Sequence, residues 1–175
     1  MGLDPNSSAR TRMLRPGVRV AAAVSRFHEE LTGAMLDSAR RELVASGMRA
    51  EDLFAVWVPG SFELPLVARR LARRPDVDAV LCLGIVLQGE TTHDRYVAQG
   101  ALQGILSASL ETDKPILFGV LTCQTLEQAR ERALPGERDK GREVARAAVQ
   151  ALAALDEAAA LEPALGAIEK RGSVP

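Results

Sequence analysis

Residues 79–93 read AVLCLGIVLQGETTH, an apolar run that ends in a glycine turn and a histidine. An apolar run without a polar face indicates a strand buried on both sides, as in a parallel sheet. A helical pattern begins near His93, so the turn precedes a helix N-terminus, where backbone N–H groups and the helix dipole favour an anion. Histidine is a side chain suited to proton transfer, and His93 follows the carboxyl end of the strand, where open α/β sheets bind ligands. The stretch therefore predicts an α/β fold and a site for chemistry on a phosphorylated small molecule.

Three further apolar segments, at residues 18–24, 54–58 and 115–121, have the length and composition of buried strands. Helical patterns alternate with them. We expect a first helix that carries Leu31, Met35, Ala39 and Leu43 and ends at Gly47. A second helix should follow Ser61 as its N-cap, with Pro65 in its first turn, and end before Pro75. Three more are expected: one from His93 to about Leu110, one after a capping box of Thr125 and Gln128, and one from about Asp139. This alternation implies right-handed crossovers and helices on both faces of a sheet. The sequence thus predicts an α/β fold with a small four-stranded parallel sheet.

The length and composition of the chain fit one domain. Its 175 residues are 47% hydrophobic and only 3% aromatic, which suits an aliphatic core. We expect a flexible N-terminal tail at residues 1–15, the α/β domain at residues 16–157 and a C-terminal extension at residues 158–175. The extension is rich in alanine and contains Pro163 and Gly166, so we expect it to be frayed.

Charge and composition argue against several classes of function. The 22 Lys and Arg residues balance 23 Asp and Glu residues, and no basic patch is interleaved with aromatics, which argues against nucleic-acid binding. No apolar stretch is long enough for a membrane span and no signal peptide begins the chain, so we expect a cytoplasmic protein. Cys82 and Cys123 lack metal-ligand spacing and are interpreted as buried thiols, so no metal site is predicted.

Polar or unusual residues follow each predicted strand, at residues 25–28, 59–63, 89–93 and 122–124. Because parallel strands end at the same edge of a sheet, we expect these segments to form one ligand crevice. His93 is either a catalytic group or a helix residue without a role, and its place beside the turn favours function. The chain contains no Walker A motif, GxGxxG motif, zinc signature or Gly-x-Ser-x-Gly elbow. The residues alone therefore indicate binding of a planar polar molecule and a phosphate.

Several candidate residues also have a purely structural interpretation. Phe27 is either a core anchor or a stacking platform for a planar ligand. Glu63 either stabilises a helix dipole or binds ligand hydroxyls, and His28 is interpreted as a solvated loop residue. Arg132 and Lys140 lie on either side of a Pro-Gly break, where they are either solvated surface or cations of an anion site.

These residues carry a resemblance to the 6,7-dimethyl-8-ribityllumazine synthase family. It covers about residues 18–155, with the motifs in the family's order and spacing. The motifs are Ser25-Arg26-Phe27, WVPGSFELP at residues 57–65, Leu83-Gly84, QGETTH at residues 88–93, FGVLT at residues 118–122, EQA at residues 127–129, ERA at residues 131–133 and DKG at residues 139–141. The Pro-Gly-Ser-Phe-Glu and Gly-Glu-Thr-x-His pair is specific to the family.

The resemblance implies a flavodoxin-like three-layer α/β/α sandwich and the penultimate step of riboflavin biosynthesis. In that step 5-amino-6-(D-ribitylamino)uracil condenses with 3,4-dihydroxy-2-butanone 4-phosphate, which gives the lumazine, phosphate and water. The family uses no metal or organic cofactor. It forms homo-oligomers built from pentamers, as decamers or icosahedral shells, with active sites between subunits, and riboflavin synthase is a candidate partner.

The resemblance also implies a role for each site residue. His93 would transfer protons. The substrate-binding residues would be Phe27 against the pyrimidine ring, Ser61, Phe62 and Glu63 at the ribityl chain, Ile85, Val86 and Leu87 at the heterocycle, Glu90, Thr91 and Thr92 at the phosphate, and Phe118, Arg132 and Lys140 from the neighbouring subunit, with Arg132 pairing with the phosphate.

Four positions depart from the commonest family pattern. Ser25 stands where glycine is usual, His28 where asparagine is frequent, Gln88 where a basic residue is frequent and Asp94 where an aromatic residue is usual. None of them removes a proposed catalytic group, but Asp94 could alter the pKa or the orientation of His93. The departures at Asp94 and Gln88 leave open a non-catalytic assembly protein that binds lumazine or flavin. A related archaeal-type riboflavin synthase is the second alternative function.

Overall fold

A four-stranded parallel sheet forms the centre of the structure, a computed structural model that describes the backbone of residues 13–169 and the side chains of residues 13–161. The strands are β1 (Val20–Ser25), β2 (Leu53–Val58), β3 (Ala79–Leu87) and β4 (Ile116–Cys123). Their order is β2-β1-β3-β4, and every neighbouring pair is parallel. The prediction of a small four-stranded parallel sheet is confirmed.

Five α-helices connect and flank these strands within the described residues: α1 (Glu29–Ala45), α2 (Leu64–Ala72), α3 (His93–Thr112), α4 (Leu126–Ala133) and α5 (Lys140–Glu169). Short 3₁₀ turns lie at Ala50–Asp52 and Ser61–Glu63. Gly47 follows α1 with a positive φ of 100°, a backbone conformation that glycine adopts without strain, so the predicted helix stop is confirmed. No described helix combines the length and apolar character that a membrane span requires.

The helices form a layer on each face of the sheet. Helices α1, α4 and α5 cover one face, where Leu81, Leu83 and Ile85 of β3 belong to their hydrophobic cluster. Helices α2 and α3 cover the other face, where Val80 and Cys82 point. Because β3 is buried on both faces, both of its side-chain rows are apolar, which explains the unbroken run in the sequence. The result is the predicted three-layer α/β/α arrangement.

Two predicted helix caps differ from the structure. Ser61 does not cap α2, which begins at Leu64, because residues 61–63 first form a 3₁₀ turn. The cap of that turn comes from Glu63, whose carboxylate accepts a hydrogen bond from the Gly60 N–H at 2.9 Å. At α4 the Thr125 hydroxyl oxygen accepts from the Gln128 N–H, as predicted. The Gln128 side chain, however, accepts from Gln124 rather than from Thr125, so the predicted capping box is wrong by one residue.

The last helix continues past the predicted domain boundary, since α5 runs to Glu169. At the other end, the Leu14 N–H donates to the Ser46 carbonyl and Arg15 pairs with Asp78. Residues 1–12 of the predicted tail and residues 170–175 of the predicted extension lie outside the described residues. The division into tail, domain and extension therefore stays a prediction.

Candidate active site

All four strands end at one edge of the sheet, because every strand pair is parallel. The segments that follow the strands, residues 26–28, 59–63, 88–93 and 124–125, therefore lie along that edge, as predicted. The direction in which successive strands are added to the sheet reverses at β1, since β2 lies on one side of β1 and β3 on the other. Such a switch point is where open α/β sheets form ligand crevices.

Phe27, which follows β1, is exposed and does not anchor the core. Its side chain is 64% exposed, so the core-anchor interpretation is wrong. The His28 ring packs edge-on against it, with ring centroids 4.9 Å apart. His28 has a positive φ of 62° and a buried Nε2 atom without a hydrogen-bond partner among the described residues. The expectation of a solvated loop histidine is therefore wrong, because the side chain is partly buried beside Phe27.

The 3₁₀ turn after β2 presents three residues that differ in exposure. Ser61 is 3% exposed, whereas Phe62 is 62% exposed and Glu63 is also exposed. Phe62 lies against α3, where a methyl group placed on Gly100 would be 2.8 Å from its ring. The Ser61 hydroxyl is turned inward, so that a methyl group on Gly84 of β3 would lie 2.5 Å from its oxygen. This hydroxyl has no hydrogen-bond partner among the described residues.

The stretch after β3 changes from buried strand to exposed turn. The side chains of Ile85 and Val86 are buried in the core, so a ligand at this edge would meet their backbone groups. Glu90, Thr91 and Thr92 are exposed, together with His93, which begins α3. The Thr91 hydroxyl oxygen accepts a hydrogen bond from the His93 N–H at 3.4 Å, and Thr92, the N-cap residue, makes no side-chain capping bond. The predicted helix N-terminus beside the glycine turn is thus confirmed.

Arg132 and Lys140 face a common cleft of about 470 Å³ at the end of β4. Its lining residues are Val120, Leu121, Thr122, Arg132, Glu137, Arg138, Lys140 and Glu143. Arg132 donates to the Gln128 carbonyl oxygen at 3.0 Å, and the Lys140 Nζ atom lies 2.8 Å from a Glu143 carboxylate oxygen. Phe118, on β4, is partly buried and packs against the cluster under α2 and α3.

The residues predicted as one site fall into two groups in a single chain. The cleft that contains Arg132 and Lys140 is not lined by Phe27, Ser61 or His93. A second cleft, of about 680 Å³, is lined by Val86, Gln88, Asp94, Arg95, Ala98, Thr122, Cys123, Gln124 and Gln128. Asp94 lines this second cleft and His93 does not, although the two residues are adjacent in the sequence.

Burial sets the state of both cysteines. Cys82 and Cys123 are free and buried, as predicted. Burial raises the pKa of both thiols, and at Cys123 the charge of Arg132 opposes that rise. Both thiols are therefore held in the neutral form, which is a poor nucleophile and metal ligand. Among the residues that the structure describes, no group of three His, Cys, Asp or Glu side chains is placed to hold a metal ion.

The sequence patterns assign no site role to three further residues near this edge. The Arg26 guanidinium lies 5.5 Å from the centre of the Trp57 ring, and no spacing rule predicts that pairing. Asp139 is buried and accepts hydrogen bonds from the Ser38 hydroxyl and the Arg142 N–H. Arg138 shares the cleft of Arg132 and Lys140, but it lies in a charge-dense run that is typical of solvated surface.

Comparison with known proteins identifies the same family as the sequence motifs. The family model described as 6,7-dimethyl-8-ribityllumazine synthase matches residues 17–156. Curated proteins named 6,7-dimethyl-8-ribityllumazine synthase, from two strains of Thermus thermophilus, are each 49% identical over 140 residues. Each alignment covers 80% of this chain and 89% of the relative.

Proposed function

Because the chain belongs to the 6,7-dimethyl-8-ribityllumazine synthase family, we propose that it condenses 5-amino-6-(D-ribitylamino)uracil with 3,4-dihydroxy-2-butanone 4-phosphate. The products are the lumazine, phosphate and water. The chain is a transferase of riboflavin biosynthesis, and its substrates are small molecules. The observation that carries the site assignment is the turn at residues 89–93, which leads into α3 at the carboxyl edge of the sheet.

The aminouracil binds at the ends of β1, β2 and β3 in this proposal. Phe27 offers an exposed ring on which the pyrimidine stacks. The ribityl hydroxyls contact the turn of Ser61, Phe62 and Glu63. The buried Ser61 hydroxyl can bond to them, because it has no hydrogen-bond partner among the described residues. Ile85, Val86 and Leu87 meet the heterocycle mainly through backbone groups, since the first two side chains are buried.

The phosphate binds at the N-terminus of α3. The N–H groups of the first helical turn have no intrahelical acceptors and point out of the helix end, which favours an anion. Glu90, Thr91 and Thr92 form the exposed turn that presents these groups. Arg132 and Lys140 of another copy complete the phosphate site, because guanidinium forks onto phosphate and ammonium adds a point charge.

His93 transfers protons in the reaction. The amine of the aminouracil attacks the ketone carbon, a carbon–nitrogen bond forms, and water leaves as the imine is made. A proton is then removed from the carbon between the imine and the phosphate-bearing carbon, phosphate departs with its bonding electrons, and the enol that results becomes a ketone. The ribitylamino nitrogen attacks this ketone, a second carbon–nitrogen bond closes the ring, and a second water leaves to give the lumazine. Each step moves a proton at near-neutral pH, for which an imidazole is suited. Holding the amine and the ketone together supplies much of the remaining acceleration.

The proposed site lies between two copies of the chain. Support comes from the separation of the two residue groups, with Arg132 and Lys140 in a cleft that Phe27 and His93 do not line. Exposed apolar side chains along α3 offer a surface for contact between copies: Tyr96, Leu102, Leu106 and Leu110. A cytoplasmic homo-oligomer built from pentamers accommodates both features, with Phe118 also contributed by the neighbour. Riboflavin synthase, which consumes the lumazine, is the proposed partner enzyme.

Lumazine fluorescence tests the proposed reaction directly. Purified protein supplied with both substrates is expected to form the fluorescent lumazine. His93→Ala is expected to lower kcat roughly a hundredfold while substrate still binds, because it removes only the proton-transfer group. His93→Gln serves as the companion variant, since it retains a polar side chain that does not titrate.

Absence of lumazine from the parent protein would contradict the proposal. Riboflavin formed from lumazine alone would identify a riboflavin synthase instead, and tight lumazine binding without turnover would identify an assembly protein.

A further inference from the structure

We propose that Arg138 is a third cation of the phosphate subsite and that Glu131 is a resident counter-anion which the substrate phosphate displaces. The inference rests on the proposed function, because it adds two residues to the phosphate site proposed above. Arg138, Arg132 and Lys140 line the same cleft of about 470 Å³. Arg132 lies at the end of α4, Arg138 in the loop that follows it and Lys140 at the start of α5.

One carboxylate oxygen holds the two guanidinium groups together. The Glu131 Oε2 atom lies 3.6 Å from Arg132 Nη1 and 3.5 Å from Arg138 Nη1. Two like charges thus converge on one anionic oxygen at the rim of the cleft. A phosphate group carries more negative charge than a carboxylate and has three free acceptor oxygens, so it suits the same pair of guanidiniums better.

The contacts that Glu131 makes are of the kind that a ligand can replace. The Glu131 side chain is 51% exposed and that of Arg138 is 64% exposed. Ion pairs between exposed side chains are weak, because water screens both charges and ordering two long side chains has an entropic cost. Within the described residues the contact with Glu131 is the closest ion pair of Arg138, whereas Lys140 is held by Glu143 at 2.8 Å.

The remaining charges of the cleft oppose the binding of an anion. Besides the three cations, its lining contains the carboxylates of Glu137 and Glu143. These two acids offset part of the positive charge of Arg132 and Lys140. Arg138 supplies the additional positive charge that a phosphate monoester needs in such surroundings.

Binding of inorganic phosphate to the full-length assembled protein tests this proposal. Arg138→Gln is expected to weaken phosphate binding about tenfold, as the loss of a charged hydrogen bond does. Glu131→Gln is expected to tighten it about threefold, because both guanidiniums lose their competing anion. Arg130→Gln is the matched control, since Arg130 lies on the same helix, contacts Glu127 and does not line the cleft.

Opposite shifts from the two variants separate binding from folding, since a structural defect would weaken binding in both. The same variants should change KM for the butanone phosphate in the same directions and leave KM for the aminouracil unchanged. Unchanged phosphate affinity in Arg138→Gln would overturn the role of Arg138, and weaker affinity in Glu131→Gln would overturn the role of Glu131. Titration with inorganic phosphate needs no turnover, so it measures the phosphate affinity of the cleft whether or not the parent protein makes lumazine. Absence of lumazine formation would contradict the proposed function and not this inference.

Discussion

Ser61 differs from the other buried polar residues that the structure describes. Ser25, Thr32, Ser38, Ser46 and Asp139 each take part in a hydrogen bond, whereas the Ser61 hydroxyl has no partner there. A buried polar group without a partner lowers stability, so it is usually retained for another reason. At the end of β2 the proposed reason is the ribityl chain of the substrate.

Ser61→Ala is therefore expected to change stability and binding in opposite senses. The free energy of unfolding should rise by about 1 kcal/mol, because alanine removes the unpaired hydroxyl. KM for the aminouracil should rise several-fold, as a hydrogen bond to the ligand is lost. Denaturant unfolding and steady-state kinetics measure the two quantities.

Ser46→Ala is the control for this variant, because the buried Ser46 hydroxyl donates to the Glu42 carbonyl oxygen at 2.9 Å. That substitution should lower the free energy of unfolding by about 1 kcal/mol and leave KM unchanged. A loss of stability in Ser61→Ala, with KM unaltered, would show that Ser61 has only a structural role.

Among the elements, the contact between α1 and α5 positions the cation cleft. Gly141, in the first turn of α5, lies so close to α1 that a methyl group placed on it would be 2.1 Å from the Met35 carbonyl oxygen. Asp139 caps the same helix start and bonds to Ser38 of α1. Lys140 lies between these two residues, so the packing of α1 against α5 determines the backbone position from which the Lys140 side chain extends.

Gly141→Ala is expected to lower the free energy of unfolding by about 3 kcal/mol, since the two helix backbones must separate. Phosphate binding should weaken as well, because Lys140 moves with the start of α5. Gly136→Ala is the control in the loop before α5, where an added methyl group meets nothing within 4 Å. Equal unfolding midpoints for the two variants would contradict the close contact.

Most elements could be predicted from the sequence because their signals are local. The strand at residues 79–87 and the helix that begins at His93 have the predicted positions, since each depends on apolar periodicity. The absence of a cap at Ser61 could not be predicted, because residues 61–63 form a 3₁₀ turn before α2 and the Ser61 hydroxyl lies against Gly84 of β3, a contact between residues distant in sequence. The cleft of Arg138 could not be predicted either, because the sequence pattern shows which residues are charged but not which of them lie together in the fold.

At the scale of the whole molecule, the division of the site between chains is the central claim. Phe27, Ser61 and His93 belong to the ends of β1, β2 and β3, while Arg132 and Lys140 line a separate cleft beside the edge strand β4. The sequence motifs predicted every one of these residues, but residue patterns cannot assign them to one chain or to two. The family resemblance implies a site shared between subunits, and the separation of the two groups in the fold supports that prediction.

Mixed assembly of two defective variants tests this claim most directly. His93→Ala lacks the proton-transfer group, and Arg132→Gln should lose most activity because it lacks a phosphate cation. When both chains are coexpressed in equal amounts, shared sites should pair an intact His93 with an intact Arg132 in about one quarter of cases. We predict lumazine formation at about one quarter of the parent rate, with the separately purified variants and their unexchanged mixture as controls. A rate no higher than the average of the two variants alone would contradict a site shared between chains.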